Sequence, residues 1–121
     1  MNEDLIYHIV PLRKWRTLFK NGRYLSKSLS LETGEPVEIP CCESGNVAAL
    51  LNRKFSGRKD LLLIVIDSTR IQSPLEIGEG AEGEPASMVI RGSLNGDAIL
   101  DKIRLQPDEE NRFQIEFEID L

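Results

Sequence analysis

The chain has little of what most catalytic and metal-binding sites are built from: one histidine, two cysteines and one tryptophan in 121 residues. A single histidine, His8, excludes any cluster of imidazole ligands, so an imidazole base or metal ligand could only be this residue. The two cysteines, Cys41 and Cys42, are adjacent. A bond between them would close a strained ring and staple nothing distant, so no disulfide framework is encoded. With His8 the only other soft ligand, zinc is not expected. No apolar run approaches the roughly 18 residues that cross a bilayer. The opening MNEDLIYHIV starts acidic where a secretory signal starts basic. These absences predict a soluble cytoplasmic protein with no membrane partner. Phosphate-loop, H-E-x-x-H and G-x-S-x-G patterns are missing too. Gly78, Gly80 and Gly83 do spell G-x-G-x-x-G, but they lead through Pro85 into a strand, whereas a dinucleotide fingerprint opens a helix.

What remains is ordinary globular material, with 40% hydrophobic and 29% charged residues. A chain of 121 residues can bury about two-thirds of its unfolded surface and needs no staples to fold, so a single domain over 1–121 is expected. The net charge of −5 argues against nucleic acid as a partner, since phosphate neutralisation dominates that affinity. The charge is nevertheless uneven. Residues 1–60 carry ten Lys/Arg against seven acids, and residues 61–121 carry five against thirteen. The basic first half could offer a local anion site, although solvated helix faces would give the same count.

Along the chain, Leu5 to Val10 is a β-prone run closed by Pro11. From Pro11 to Asn21 the residues Leu12, Trp15, Leu18 and Phe19 recur at helical spacing, which predicts a helix stopped by Gly22 and anchored by Trp15 and Phe19. Tyr24 to Pro40, rich in Ser, Thr, Gly and Pro, predicts a long loop. Val47, Leu50, Leu51 and Phe55 predict a second helix, with Ser44 suited to its N-cap and Gly57 to its end. Leu61 to Ile66 has no polar interruption and predicts a central strand covered on both faces. A turn and short strand are expected over Ile71 to Ile77, a mobile loop over 78–85, a strand from Met88 to Arg91, a turn at Asn95-Gly96 and a strand from Ile99 to Leu105 that a helical turn at Asp97 could begin. Residues 106–121 predict a closing hairpin, because Phe113, Ile115, Phe117 and Ile119 alternate with polar residues. The sum is α+β: a mixed, mainly antiparallel sheet with two amphipathic helices packed on it.

Three places could carry chemistry. His8 sits among apolar neighbours, which suits packing as well as the wall of a cleft. Cys42 lies just ahead of a helix, whose positive end can activate a thiol, although a buried, inert cysteine explains the same residues. Gln114 and Glu116 form a Q-x-E spacing reminiscent of ADP-ribosyltransferases, but any half-exposed acidic strand would show it.

The order of segments resembles the domain-of-unknown-function 952 (DUF952) family. The residues that carry the likeness are Ile6 to Val10 with Trp15, then Gly22, Tyr24 and Ser28-Leu29, then Phe55-Ser56-Gly57 with Asp60-Leu61-Leu62, and Leu75-Glu76. Two departures stand out. Ile39-Pro40-Cys41-Cys42 stands where the family usually shows Ile-His-x-Ser, and Met88 to Gly92 stands where it shows Pro-His-x-Tyr-Gly. The resemblance implies an ADP-ribosyltransferase-like split sheet with a nicotinamide-dinucleotide cleft and no established activity. It puts His8, Cys42, Glu76 and Arg91 near that cleft and makes NAD the ligand to consider. Arg91 could pair with a phosphate. A non-catalytic or weakly active relative that binds a small molecule or a protein is the leading expectation, and a transferase acting on a nicotinamide dinucleotide is the alternative.

Overall fold

The computed structural model describes residues 4–24, 38–55, 57–78, 87–107 and 109. The 25–37 portion of the expected first loop, most of the expected 78–85 loop and the expected final strand at 113–119 lie outside those residues.

The first strand, β1 (Leu5–Pro11), runs straight into α1 (Leu12–Leu18), with Pro11 as the N-cap. The helix stops three residues before the expected Asn21. Asn21 and Gly22 both adopt positive φ, 55° and 75°. That is the two-residue hairpin turn to which Asn-Gly is suited, and it pulls Phe19 and Lys20 out of the helix as β2 (Phe19–Lys20) against β3 (Arg23–Tyr24). Turn chemistry here overrides the helical spacing of Phe19. The loop expected from Tyr24 to Pro40 likewise gives way at both ends, to β3 and to β4 (Glu38–Cys41).

The second helix, α2, spans Ser44–Lys54 with Glu43, not Ser44, at the N-cap and no side-chain cap bond. It buries Val47 and Leu51, as the spacing requires. Then come β5 (Leu61–Asp67), a 3-10 turn over Ser68–Arg70, β6 (Leu75–Gly78) and β7 (Ser87–Arg91). Asn95-Gly96 is not a simple turn. Leu94–Asn95 forms β8 and Gly96–Ala98 a second 3-10 turn, which leads into β9 (Ile99–Leu105).

Three small sheets result, in the orders β1-β5-β9, β2-β3-β8 and β4-β7-β6, and every strand pairing in them is antiparallel. The aliphatic strand β5 is central, and all six residues Leu61 to Ile66 are buried. Its alternating side chains divide the interior in two. Ile6, Val10, Leu62, Ile64 and Ile66 face Trp15, Tyr24, Ile39, Met88 and Ile90. On the other side Tyr7, Ile9, Leu61, Leu63 and Val65 meet Val47 and Leu51 of α2. Burying a side chain such as Leu51 contributes about 1.5–3 kcal/mol before entropy is counted, so one helix face goes far toward fixing α2.

The β1-β5-β9 and β4-β7-β6 sheets are joined at a narrow seam. Tyr7 and Cys42 exchange backbone hydrogen bonds of 2.9 Å in each direction, forming a single antiparallel bridge between β1 and the end of β4. No helix among the described residues is long and apolar enough to cross a membrane.

Candidate functional site

His8 crosses that seam. It lies on the face of β1 shared by Ile6 and Val10 and is only 6% exposed. Its Nδ1 is 2.7 Å from the Pro40 carbonyl on β4, and its Nε2 is 3.0 Å from the Tyr24 hydroxyl on β3. A carbonyl can only accept, so Nδ1 carries the proton and donates it, while Nε2 accepts from the tyrosine. Burial pushes the imidazole down to about 4, against a smaller opposing effect of the Pro40 hydrogen bond. The ring is therefore neutral at physiological pH, consistent with that tautomer. Burial also pushes the Tyr24 phenol upward, with the Cys41 thiol adding to the effect. Tyr24 in turn packs against Trp15, ring centres 4.6 Å apart, and Trp15 stacks on Phe19 at 5.0 Å.

The two cysteines flank the same seam without meeting as a pair. Adjacent residues in extended chain point to opposite faces. Cys41 packs against the cluster containing Ile39 and Tyr24, and Cys42 against the cluster containing Tyr7 and Val47. Both thiols are free. Burial pushes Cys41 well above the usual thiol range and Cys42 up to about 11, with the Glu43 carboxylate raising Cys42 further. The start of α2 at Ser44 could have activated Cys42, but desolvation and the neighbouring carboxylate outweigh it.

A second polar group lies on the outer face of the β4-β7-β6 sheet. The register pairs Glu38 with Arg91 and Glu76 with Val89, so these side chains share the face opposite Ile39, Met88 and Ile90. The Arg91 Nε donates to Glu76 Oε2 at 2.7 Å and its Nη1 donates to Glu38 Oε1, so one guanidinium bridges two strands. The two acids raise the affinity of Arg91 for its proton, Glu76 foremost. Beside this triad an open depression of about 470 Å³ is lined by Glu76, Ile77, Gly78, Val89 and Arg91. Glu76 and Arg91 are 59% and 36% exposed at their side chains, and Ile77 is 63% exposed.

Of the four residues expected near a cleft, Glu76 and Arg91 are in direct contact and open to solvent, and His8 and Cys42 are neighbours of the seam. Among the described residues no hydrogen bond or ion pair joins the first pair to the second. Gln114 and Glu116 lie outside the described residues. Sequence reasoning missed Glu38 and Tyr24. Glu38 had a signal in its alternation with Ile39 ahead of the cysteines, and Tyr24 had one in its place just after an Asn-Gly turn. Among the described residues no three His, Cys, Asp or Glu side chains group as a metal site would need.

Comparison with known proteins places the chain. Residues 9–101 match the family described as Protein of unknown function (DUF952). The crystal structure of protein CC0527 from Caulobacter crescentus shares the fold with a TM-score of 0.74 at 18% identity, over 91% of this chain and 93% of that one. The solution NMR structure of CC0527 matches with a TM-score of 0.65 at the same 18% identity, over 91% of each chain. At that identity the likeness carries the fold alone. No curated protein matches the chain.

Proposed function

The chain belongs to the DUF952 family, and from that premise and its geometry we propose that it is a ligand-binding domain without working catalytic machinery, related to the ADP-ribosyltransferase-like fold. The observation that carries this reading is a contrast between its two polar groups. The reactive types, imidazole and thiol, are drawn into packing, with both His8 nitrogens bonded within the protein and both thiols held protonated. The Glu38–Arg91–Glu76 triad instead sits at solvent beside a depression.

A ligand there would meet the apolar side chain of Val89 and a planar guanidinium on the same face of the sheet. Arg91 can exchange a carboxylate partner for a ligand oxyanion without losing its fork geometry, because carboxylate and phosphate present the same paired oxygens. Glu76 is the partner more easily displaced, being the more exposed of the two acids. The family resemblance makes nicotinamide dinucleotide and its fragments the first ligands to try, and cytoplasm the compartment in which to look for them.

Amide shifts of labelled protein, followed during titration with NAD, ADP-ribose and AMP, test this reading. Saturable shifts at Glu76, Ile77, Val89 and Arg91 are expected, abolished in Arg91→Gln and unaccompanied by loss of the nucleotide. Absence of any saturable shift at millimolar ligand would remove nucleotides as its ligands. Steady consumption of NAD, lost in Glu76→Gln, would instead establish the transferase alternative.

A further inference from the structure

We infer that the neck of the β2–β3 hairpin is a separate anion site, in which Lys20 and Arg23 hold a phosphate group of a small ligand. Residues 12–24 contain five bases, Arg13, Lys14, Arg16, Lys20 and Arg23, and no acid. Within that stretch the Asn21-Gly22 turn fixes Lys20 and Arg23 directly opposite each other across the hairpin. Like charges at directly opposed positions destabilise a strand pair, so this arrangement favours a counter-anion between them.

Elsewhere on the described surface the arginines of the second half meet carboxylates: Arg70 with Asp67, Arg91 with Glu38 and Glu76, and Arg104 with Asp60. Lys20 and Arg23 form no ion pair among the described residues. Arg23 is instead steadied by two neutral acceptors, its Nη1 donating to Ser93 Oγ at 3.1 Å and its Nη2 to Gln72 Oε1 at 2.6 Å.

The backbone that carries those acceptors is itself tied down. The Gln72 backbone N–H donates to the Oδ1 of buried Asn95 at 3.0 Å, and the Asn95 Nδ2 donates to the Arg70 carbonyl at 3.0 Å. Ser73 Oγ donates to the Ser93 carbonyl at 2.7 Å. The Gly96 backbone N–H donates to the Gly22 carbonyl at 2.8 Å, tying the hairpin turn to the 3-10 turn that follows β8. Those two bonds orient the guanidinium before any ligand arrives, and among the described residues no carboxylate cancels its charge and no acceptor takes its Nε–H or the second N–H on each Nη. An exposed cation held by neutral groups, beside a second cation, suits the divalent oxyanion of a phosphate better than a singly charged carboxylate. This site is independent of the Arg91 depression and stands or falls separately from it.

The test titrates labelled protein with inorganic phosphate and with pyrophosphate at constant ionic strength, with acetate as the control anion. Saturable amide shifts at Gly22, Arg23, Gln72 and Ser93 are expected, stronger for pyrophosphate. They should weaken roughly tenfold or more in Arg23→Gln, the equivalent of one charge-assisted hydrogen bond. Lys20→Gln should weaken them as well, and Arg16→Gln, on the exposed face of α1, should not. Equal response to acetate, shifts spread evenly over the bases of α1, or binding indifferent to both Arg23→Gln and Lys20→Gln would each overturn the assignment.

Discussion

Acidification should loosen the fold through His8 before most of its carboxylates titrate. In the unfolded chain the imidazole takes its proton near 6.5, whereas burial between Tyr24 and the Pro40 carbonyl pushes it down to about 4. A depressed histidine value means that the unfolded state binds the proton first. Stability is therefore lost as pH falls through the unfolded value, and the loss levels off below the folded one. Each tenfold difference in proton affinity between the two states is worth about 1.4 kcal/mol, so the expected loss relative to neutral pH is roughly 1 kcal/mol at about pH 5.5 and roughly 2 kcal/mol at about pH 4.5. Protonation would also take away the lone pair that accepts from Tyr24 and set the Nε2 proton against a hydroxyl that must then turn. Chemical denaturation at these pH values, run on the native chain and on His8→Gln, isolates the effect. The glutamine cannot titrate, and subtracting its profile removes the shared contribution of Asp and Glu. A native chain whose stability falls no faster than that of His8→Gln between neutral pH and about pH 4.5 would show that the imidazole is not held as described.

Tyr24→Phe should destabilise the protein by about 1–3 kcal/mol, because it leaves the buried His8 Nε2 without a donor while the Trp15 ring contact persists. It should also raise the His8 titration toward its ordinary value if water enters the vacated place; two-dimensional imidazole NMR would read both the tautomer and the titration. Iodoacetamide should alkylate Cys42 slowly at neutral pH, and faster as pH rises toward 11, with Cys41 slower still. Rapid, selective labelling of native Cys42 at neutral pH would show a thiolate that the surroundings described here do not support.

How much was legible in the sequence depended on whether local and distant signals agreed. Leu61 to Ile66 could be read as a doubly covered strand because an unbroken apolar run puts apolar side chains on both faces, and both are covered, one by Trp15, Tyr24 and Ile39 and the other by Val47 and Leu51 of α2. The Val47–Leu51 stripe was legible for the same reason. Phe19 misleads because it fits the helical spacing of Trp15 and the hairpin equally well, and only the Asn21-Gly22 turn decides between them. The site was less legible than the fold. Glu76 and Arg91 came from family resemblance, and their contact follows from the β6–β7 register, which no local pattern encodes. Glu38 joins them through a third strand some fifty residues away in sequence. His8 suits core and cleft equally by sequence because its apolar neighbours are common to both, and what decides its surroundings is the distant pair Tyr24 and Pro40.

That distant pair also bears on whether His8 could serve chemistry. Among the described residues the two larger sheets share one backbone bridge, Tyr7 to Cys42, and the His8 side chain adds a second tie beside it, from β1 to the Pro40 carbonyl, with a third to Tyr24 on β3. A general base must leave one nitrogen open to a substrate proton, at hydrogen-bond reach. Freeing Nδ1 here would leave the Pro40 carbonyl without its donor at the seam, and freeing Nε2 would strand the hydroxyl of a buried tyrosine, each at the cost of an unsatisfied buried polar group. The imidazole thus holds three strands together through the two atoms that catalysis would need. A binding domain can keep such a strut at its seam and place recognition on the outer face of the neighbouring sheet, where Arg91 can change partners without disturbing the interior.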